Sequence, residues 1–435
     1  MSKIRPFEIA LIIVFVLSAL IGVFVLSRNT NESGGLAPVV GASFSIWGTV
    51  AEGPVNAFLK EMADTDKSLQ VVRYRQIDPR SFESELVNAI AEGNSPELIL
   101  VPHTFLVSLR TKLQSIPFAT FPERTFRDTY VDGASIFMLS DGIYGYPFAV
   151  DPLVMYWNRD LFSSGGLAQP PKTWESFLNE TTPALTRRDS QFEITQSAVA
   201  MGEYANVRHA KEILAMLFLQ AGSTMVDEQN QAYKVTLNQN TATGVPPAEA
   251  VVSFYTQFSS PSKAQYSWNR AKPEDRRSFL QGTLAMYFGM GSERTALELE
   301  NANLNFDMAE VPQGSGVTVR RNYGEFYAFA IPRGAKNQQG AFTVAQLFGF
   351  NAQNADMLRE GLGLAPVHRS LIGSSSGDIY ETILGQAALV ARGWLDPDPE
   401  GSKNVFRQMI ESAVANTGRT SEVISDTVHR LQSLF

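Results

Sequence analysis

Between Ser43 and Pro102 the chain alternates short β-rich runs with segments of helical periodicity, and this order constrains the fold more than any other feature. Residues 43–47 read as a strand, and Val55, Phe58, Leu59 and Met62 then recur at i, i+3, i+4 and i+7, the spacing of one helix face. Residues 69–74 read as a second strand, 81–91 as a helix with Phe82, Leu86, Ala89 and Ile90 on one face, and 98–102 as a third strand. Strands joined by helical crossovers form a parallel sheet. Such sheets bind ligands at the C-terminal ends of their strands, so the loop 48–53 makes Trp47, Thr49 and Glu52 candidate ligand contacts.

The chain has 435 residues, too many for one core. Later strand candidates at 284–288, 306–311 and 327–331 follow a largely helical middle that includes 209–221 and 248–258. Helices over 403–415 and 422–435 close the chain, the first carrying Phe406, Met409, Ile410 and Ala413 on one face.

Residues 9–26 form an uncharged apolar run about 27 Å long as a helix, close to the thickness of the hydrocarbon layer. It is longer than the apolar region of a cleaved signal peptide, and Arg28 follows it directly, so we expect a retained single-pass anchor. Lys3 and Arg5 before the run place the N-terminus inside and the remainder on the extracytoplasmic face of the cell membrane. Residues 29–35 (NTNESGG) read as a flexible linker. A net charge of −8 argues against nucleic acid as a partner, and the absence of cysteine excludes thiolate metal sites, cysteine nucleophiles and a lipidated cysteine.

Catalytic signals are scarce. His103, His209, His368 and His429 show no metal-ligand spacing and read as surface or loop histidines, and no phosphate-binding glycine loop or cofactor motif occurs. Residues 373–377 (GSSSG) match the nucleophile-elbow pattern, with Asp396 or Asp398 and then His429 in hydrolase order. The apolar lead into Ser375 is short, however, and Asp378 with Glu381 resembles a helix capping box. Asp396 and Asp398, separated by proline, read as a rigid turn before they read as a glycosidase pair. What remains is aromatic supply: Trp47, Trp157, Trp268, Tyr323, Phe326 and Trp394 lie in or near turn-rich segments, and aromatic faces stack on sugar rings while carboxylates bind the hydroxyls. Core packing competes for each of them, most strongly for Trp157.

Residues 144–162 (YGYPFAVDPLVMYWNRDLF), 170–177 (PPKTWESF), 279–289 (FLQGTLAMYFG) and 329–332 (FAIP) resemble, in order, the maltose-type family 1 extracellular solute-binding proteins of ABC importers. Residues 89–97 (AIAEGNSPE) resemble that family's helix-to-strand passage in the first lobe. The resemblance implies an α/β, two-lobed periplasmic-binding-protein-like fold of type II, with discontinuous lobes and hinge, preceded here by the N-terminal transmembrane helix. Beyond the anchor over 1–28 and the linker over 29–42 read from the residues themselves, it implies a first lobe from 43–150 and 289–333 and a second from 151–288 and 334–435, with hinge crossings near 150–151, 288–289 and 333–337. By family position, residues 102–104 with His103, hinge Asp151, Gly289, Ser292, Tyr323 and Glu325 face the cleft. We add Trp268, Trp394 and Asp396 from the second lobe. Gly291 and Ser292 stand where the family often has a tryptophan, and Glu325 where a second glycine is common, so the ligand can differ from a common maltodextrin.

The implied protein is a monomeric, non-enzymatic receptor without cofactor or metal, taking a mono- or oligosaccharide and docking on ABC permease subunits. Two alternatives stand beside it: an extracytoplasmic serine hydrolase using Ser375, Asp396 and His429, and a sensory binding protein of the same fold. For the hydrolase, Ser375 and His429 must meet; for the receptor, polar and aromatic groups from both lobes must converge.

Overall fold

The computed structural model describes residues 37–239, 247–373 and 377–435. The expected anchor over 9–26, its linker up to residue 36, and Ser375 lie outside the described residues. Among those described, no helix is long and apolar enough to cross a membrane.

The architecture rests on β1 (Phe44–Gly48), β2 (Val72–Gln76), β3 (Leu98–Pro102), β4 (Tyr146–Asn158), β5 (Ile194–Val199), β6 (Leu284–Met290), β7 (Phe306–Ala309) and β8 (Asn322–Ala330). As the sequence order requires, β1 pairs in parallel with both β2 and β3, with helices Glu52–Thr65 and Pro79–Ala91 as the crossovers. Val55, Phe58, Leu59 and Met62 are all buried on the inner face of the first helix. The second begins where Asp78 accepts from the Arg80 N–H at 2.9 Å and Pro79 occupies the first turn. The expected strand at 69–74 starts later, at Val72, because Asp66 accepts from the Ser68 N–H at 2.9 Å and winds 67–71 into a 3-10 turn.

One strand unites the two halves of the molecule. β4 is buried along its whole length. Its first half pairs antiparallel with β8, which in turn pairs with β3, completing the first lobe's sheet. Its second half pairs with β6 on one side and β7 on the other, and β6 continues in parallel to β5, forming the second lobe's sheet. The crossing therefore falls at Pro152 and Leu153, next to the expected position. β8 starts beside the second lobe, where the Asn322 amide donates to the Leu153 carbonyl at 2.7 Å, and ends in the first.

Two boundaries differ from the sequence reading. The point 288–289 is not a crossing: β6 is a fully buried central strand of the second lobe, and the chain stays there through β7. Residues 333–337 are not a crossing either. Helix Ala352–Leu362 packs on Glu52–Thr65, helix Gln338–Ala345 on Ala37–Val40, and Pro366 pairs with Ala149, so 334–366 belongs with the first lobe. The chain returns to the second lobe after Ala391, which lies beside Asn322 in a short parallel pairing. Both positions come from the family resemblance, whereas the sheet that holds β6 and the lobe that holds 334–366 are set by pairings between residues far apart in the chain.

An interlobe cleft rich in carboxylates

The alternation of β8 places Tyr323, Glu325 and Tyr327 on one face of the strand. In the antiparallel register Glu325 stands directly opposite Asp151 of β4, so the two carboxyl side chains share that face at the hinge. The Tyr327 hydroxyl donates to Glu325 Oε2 at 2.7 Å. Asp151 accepts from the Ser292 N–H at 3.0 Å and from the Ser292 hydroxyl at 2.5 Å.

The second lobe brings His209, Lys211 and Glu212 at the start of helix Ala210–Gln220. His209 Nε2 lies 2.5 Å from Glu293 Oε1, and its Nδ1 lies 3.8 Å from Glu212. Arg276 reaches Glu293 at 3.2 Å and forks onto Glu300 at 2.7 and 2.8 Å. The Lys211 ammonium binds Asp396 Oδ2 at 2.5 Å and the Pro399 carbonyl at 3.0 Å, and stands 5.6 Å from the centre of the Trp394 ring.

These groups perturb one another strongly. Burial would push His209 down, but its bonds to Glu212 and Glu293 carry it up to about 10, so it is an imidazolium. Against burial, the same imidazolium holds Glu293 down at about 2 and Glu212 below its ordinary value. Burial pushes Asp151 up to about 7, with the Ser292 bonds opposing and the charges of Glu325 and Glu293 adding. Glu325 is raised by burial against the Tyr327 bond, with Glu212 adding and Lys211 and His209 opposing. Hinge and second lobe thus share one electrostatic site.

Of the expected contacts, Asp151, Ser292, Tyr323 and Glu325 come together here. Trp47, Thr49 and Glu52 stand where the parallel sheet ends, with the Arg75 guanidinium 4.8 Å from the centre of the Trp47 ring and Glu52 accepting from the Asn56 amide at 3.2 Å. Gly48 is required there, since a Cβ would lie 2.6 Å from both the Leu100 carbonyl and the Tyr74 hydroxyl. Five expectations are corrected. Trp268 is a core residue, 1% exposed, donating to Asn206 at 3.1 Å. Gly289 faces the rings of Tyr287 and Tyr156 inside β6, where any side chain would collide with them. Trp394 is 3% exposed and edge-on to Phe406. Asp396 is wholly buried and taken by Lys211 and Ser402, so it is not available to sugar hydroxyls. His103 is also wholly buried, its Nδ1 accepting from the Phe326 N–H at 3.1 Å; burial and the nearby Lys211 charge lower it to about 3, leaving it neutral.

The reading of all four histidines as surface or loop residues fails for His103 and for His368, 1% exposed against Tyr130 with Nε2 3.1 Å from the Phe350 carbonyl. His209, Lys211, Glu212, Glu293, Arg276 and Tyr327 were not anticipated. For Tyr327 the period-two pattern Tyr323, Glu325, Tyr327 was a usable signal; for His209, Lys211 and Glu212 only the charged run 208–212 at a helix start was visible, and for Arg276 and Glu293 no local signal was. The hydrolase arrangement loses its base: His429 is exposed on helix Thr420–Gln432, and no bond joins it to Asp396. Asp398 caps helix Pro399–Val414, accepting from the Glu400 N–H, as expected of a rigid turn. Among the described residues, no group of three histidine or carboxylate side chains is arranged to hold a metal ion.

No family model matches the chain. It is 18% identical over 428 residues, 96% of its length and 97% of theirs, to proteins of Brucella abortus (strain 2308) and Brucella suis biovar 1 (strain 1330) whose names provisionally make them binding proteins. The cyclic α-maltosyl-1,6-maltose-binding protein of Arthrobacter globiformis superposes with a TM-score of 0.73 at 13% identity, over 90% of this chain and 98% of that one. A cyclo/maltodextrin-binding protein complexed with maltotetraose gives 0.71 at 14% identity, over 90% and 97%. An ABC transporter solute-binding protein of Thermotoga lettingae bound with α-D-tagatose gives 0.66 at 17%, over 91% and 100%. The chain has the two-lobed α/β fold of the extracellular solute-binding proteins.

Proposed function

We propose that this protein is an extracytoplasmic solute-binding protein that captures a carbohydrate between its lobes and delivers it to an ABC importer. The observation that carries this reading is the hinge face of Tyr323, Glu325 and Tyr327, with Asp151 beside it, sharing one electrostatic site with His209, Lys211 and Glu212 of the second lobe. Tyrosine rings offer apolar faces and carboxylates offer acceptors, the two elements of sugar recognition. The solved structures of similar fold that hold maltotetraose and tagatose support the same class of ligand. In this reading Trp47, Thr49 and Glu52 meet the solute from the first lobe, the protein acts as a monomer and not as an enzyme, and residues 9–26 tether it beside its permease.

Calorimetry of the full-length protein in detergent against mono- and oligosaccharides, with peptides as a second arm, tests the reading. Micromolar or tighter binding of a saccharide, recovered unaltered, is the expected result. Binding of a peptide and of no saccharide would overturn it.

A further inference from the structure

Three cations near the hinge face are already engaged. His209 serves Glu212 and Glu293, Arg276 serves Glu293 and Glu300, and Lys211 serves Asp396. Asp151 and Glu325, directly opposite one another across β4 and β8, have only hydroxyl and amide partners. Beside them the Tyr323 side chain, 4% exposed, makes no hydrogen bond through its hydroxyl, and the charges of Glu325, Glu212, Asp396 and Asp151 all act on that hydroxyl. Burying the Asp151 carboxylate, 5% exposed, without a counter-ion costs several kcal/mol. A ligand that brings a positive charge offsets that cost.

We infer that the solute carries a protonated primary amine, as an unacetylated amino sugar does, and that this amine seats between Asp151 and Glu325 against the Tyr323 hydroxyl. An ammonium supplies what the site lacks: a positive charge for two carboxylates and three donors for two carboxylates and a phenolic oxygen. Side chains directly opposite on an antiparallel pair are spaced about 5 Å apart at Cβ, which suits a compact cation bridging them. A neutral sugar hydroxyl can bond either carboxylate but leaves the charge uncancelled. The tyrosine rings on the same face add a surface for the sugar's C–H face and an attraction for the cation. The inference rests on the solute-binding reading above and narrows its ligand.

The test is calorimetry of the full-length protein near neutral pH with three probes: glucosamine trisaccharide, its N-acetylated counterpart, and maltotriose. The amine form should bind at least roughly tenfold more tightly than either neutral trisaccharide. At about pH 6, where the free amine is already protonated, binding should also release protons, read from the dependence of the heat on buffer ionisation, because burial holds Asp151 at about 7 and a bound cation lowers it. Glu325→Gln and Asp151→Asn, each checked by melting temperature, should abolish the preference for the amine over the two neutral trisaccharides. Equal or tighter binding of a neutral trisaccharide would overturn the inference and leave the solute-binding reading standing. Failure of every saccharide to bind would overturn both.

Discussion

Glu228→Ala should open the molecule. Arg110 belongs to the first lobe, just beyond β3, whereas Glu228 lies on the hairpin of Val226–Gln229 and Ala232–Val235. That hairpin is held to the C-terminal helix of the second lobe by the Val235 N–H donating to Gln432 and by Tyr233 stacked on Phe435. Across the lobes, Arg110 donates from both terminal nitrogens to Glu228 Oε1 at 3.2 Å and to the Tyr233 hydroxyl at 2.8 Å, while the Ser140 hydroxyl donates to the same carboxylate at 2.7 Å. The pair is shielded, with side-chain exposures of 8% and 7%. Removing one partner of a buried ion pair costs about 3–5 kcal/mol when the other is stranded. Arg110 is not stranded, because Asp141 of its own lobe remains at 2.7 Å. The loss should therefore be nearer to ~2 kcal/mol, roughly a 30-fold change in equilibrium. If the latch forms only on closure, the whole of that loss appears in affinity. Calorimetry with the best saccharide from the screen, run as a double-mutant cycle of Glu228→Ala and Arg110→Ala, should give a coupling of about 1.5–2 kcal/mol. Additivity within about 0.3 kcal/mol, the behaviour of independent sites, would refute the latch.

Three further outcomes are expected. His209 is raised by its carboxylate partners to about 10 from an unfolded value near 6.5, so its contribution is fully present below about pH 6.5 and is lost as pH rises through 10; His209→Gln should flatten the alkaline decline in melting temperature, and an unchanged decline would count against the ion triad. Asp151 is raised to about 7 from near 3.9, so ionising it on the way to pH 7 destabilises the empty protein; Asp151→Asn should therefore melt higher than the parent at pH 8 and by much less at pH 4.5, and an equal difference at both would refute the assignment. Trp394→Ala removes a packed ring and should cost about 3–5 kcal/mol in denaturant unfolding; a loss of affinity with unaltered stability would instead return Trp394 to the ligand.

The residues themselves carried much of the first lobe. The buried face Val55, Phe58, Leu59, Met62 and the strand Leu98–Pro102 were legible because a helix stripe and a short apolar run between turns depend on local chemistry alone. The paired carboxylates were half legible: Asp151 and Glu325 were both named, but their opposition depends on the register of two strands 174 residues apart in the chain, which no local pattern encodes. Asp396 and Trp394 were misread for a related reason. A carboxylate before a helix and a tryptophan in a turn look available until a lysine from 185 positions away, Lys211, is seen to claim the first and cover the second. His103 shows the same limit, since nothing near it in sequence announces that its ring accepts from the Phe326 amide of β8.

The central claim is capture between two lobes that close on the solute. The chain has no cysteine, so Lys60→Cys on the first lobe and Lys403→Cys on the second, both exposed helix positions, can be spin-labelled cleanly in the full-length protein. Pulsed electron–electron resonance should then give an interlobe distance distribution that narrows and shifts to shorter values when the saccharide bound in calorimetry is added. The same distribution with and without saturating saccharide would contradict capture by closure.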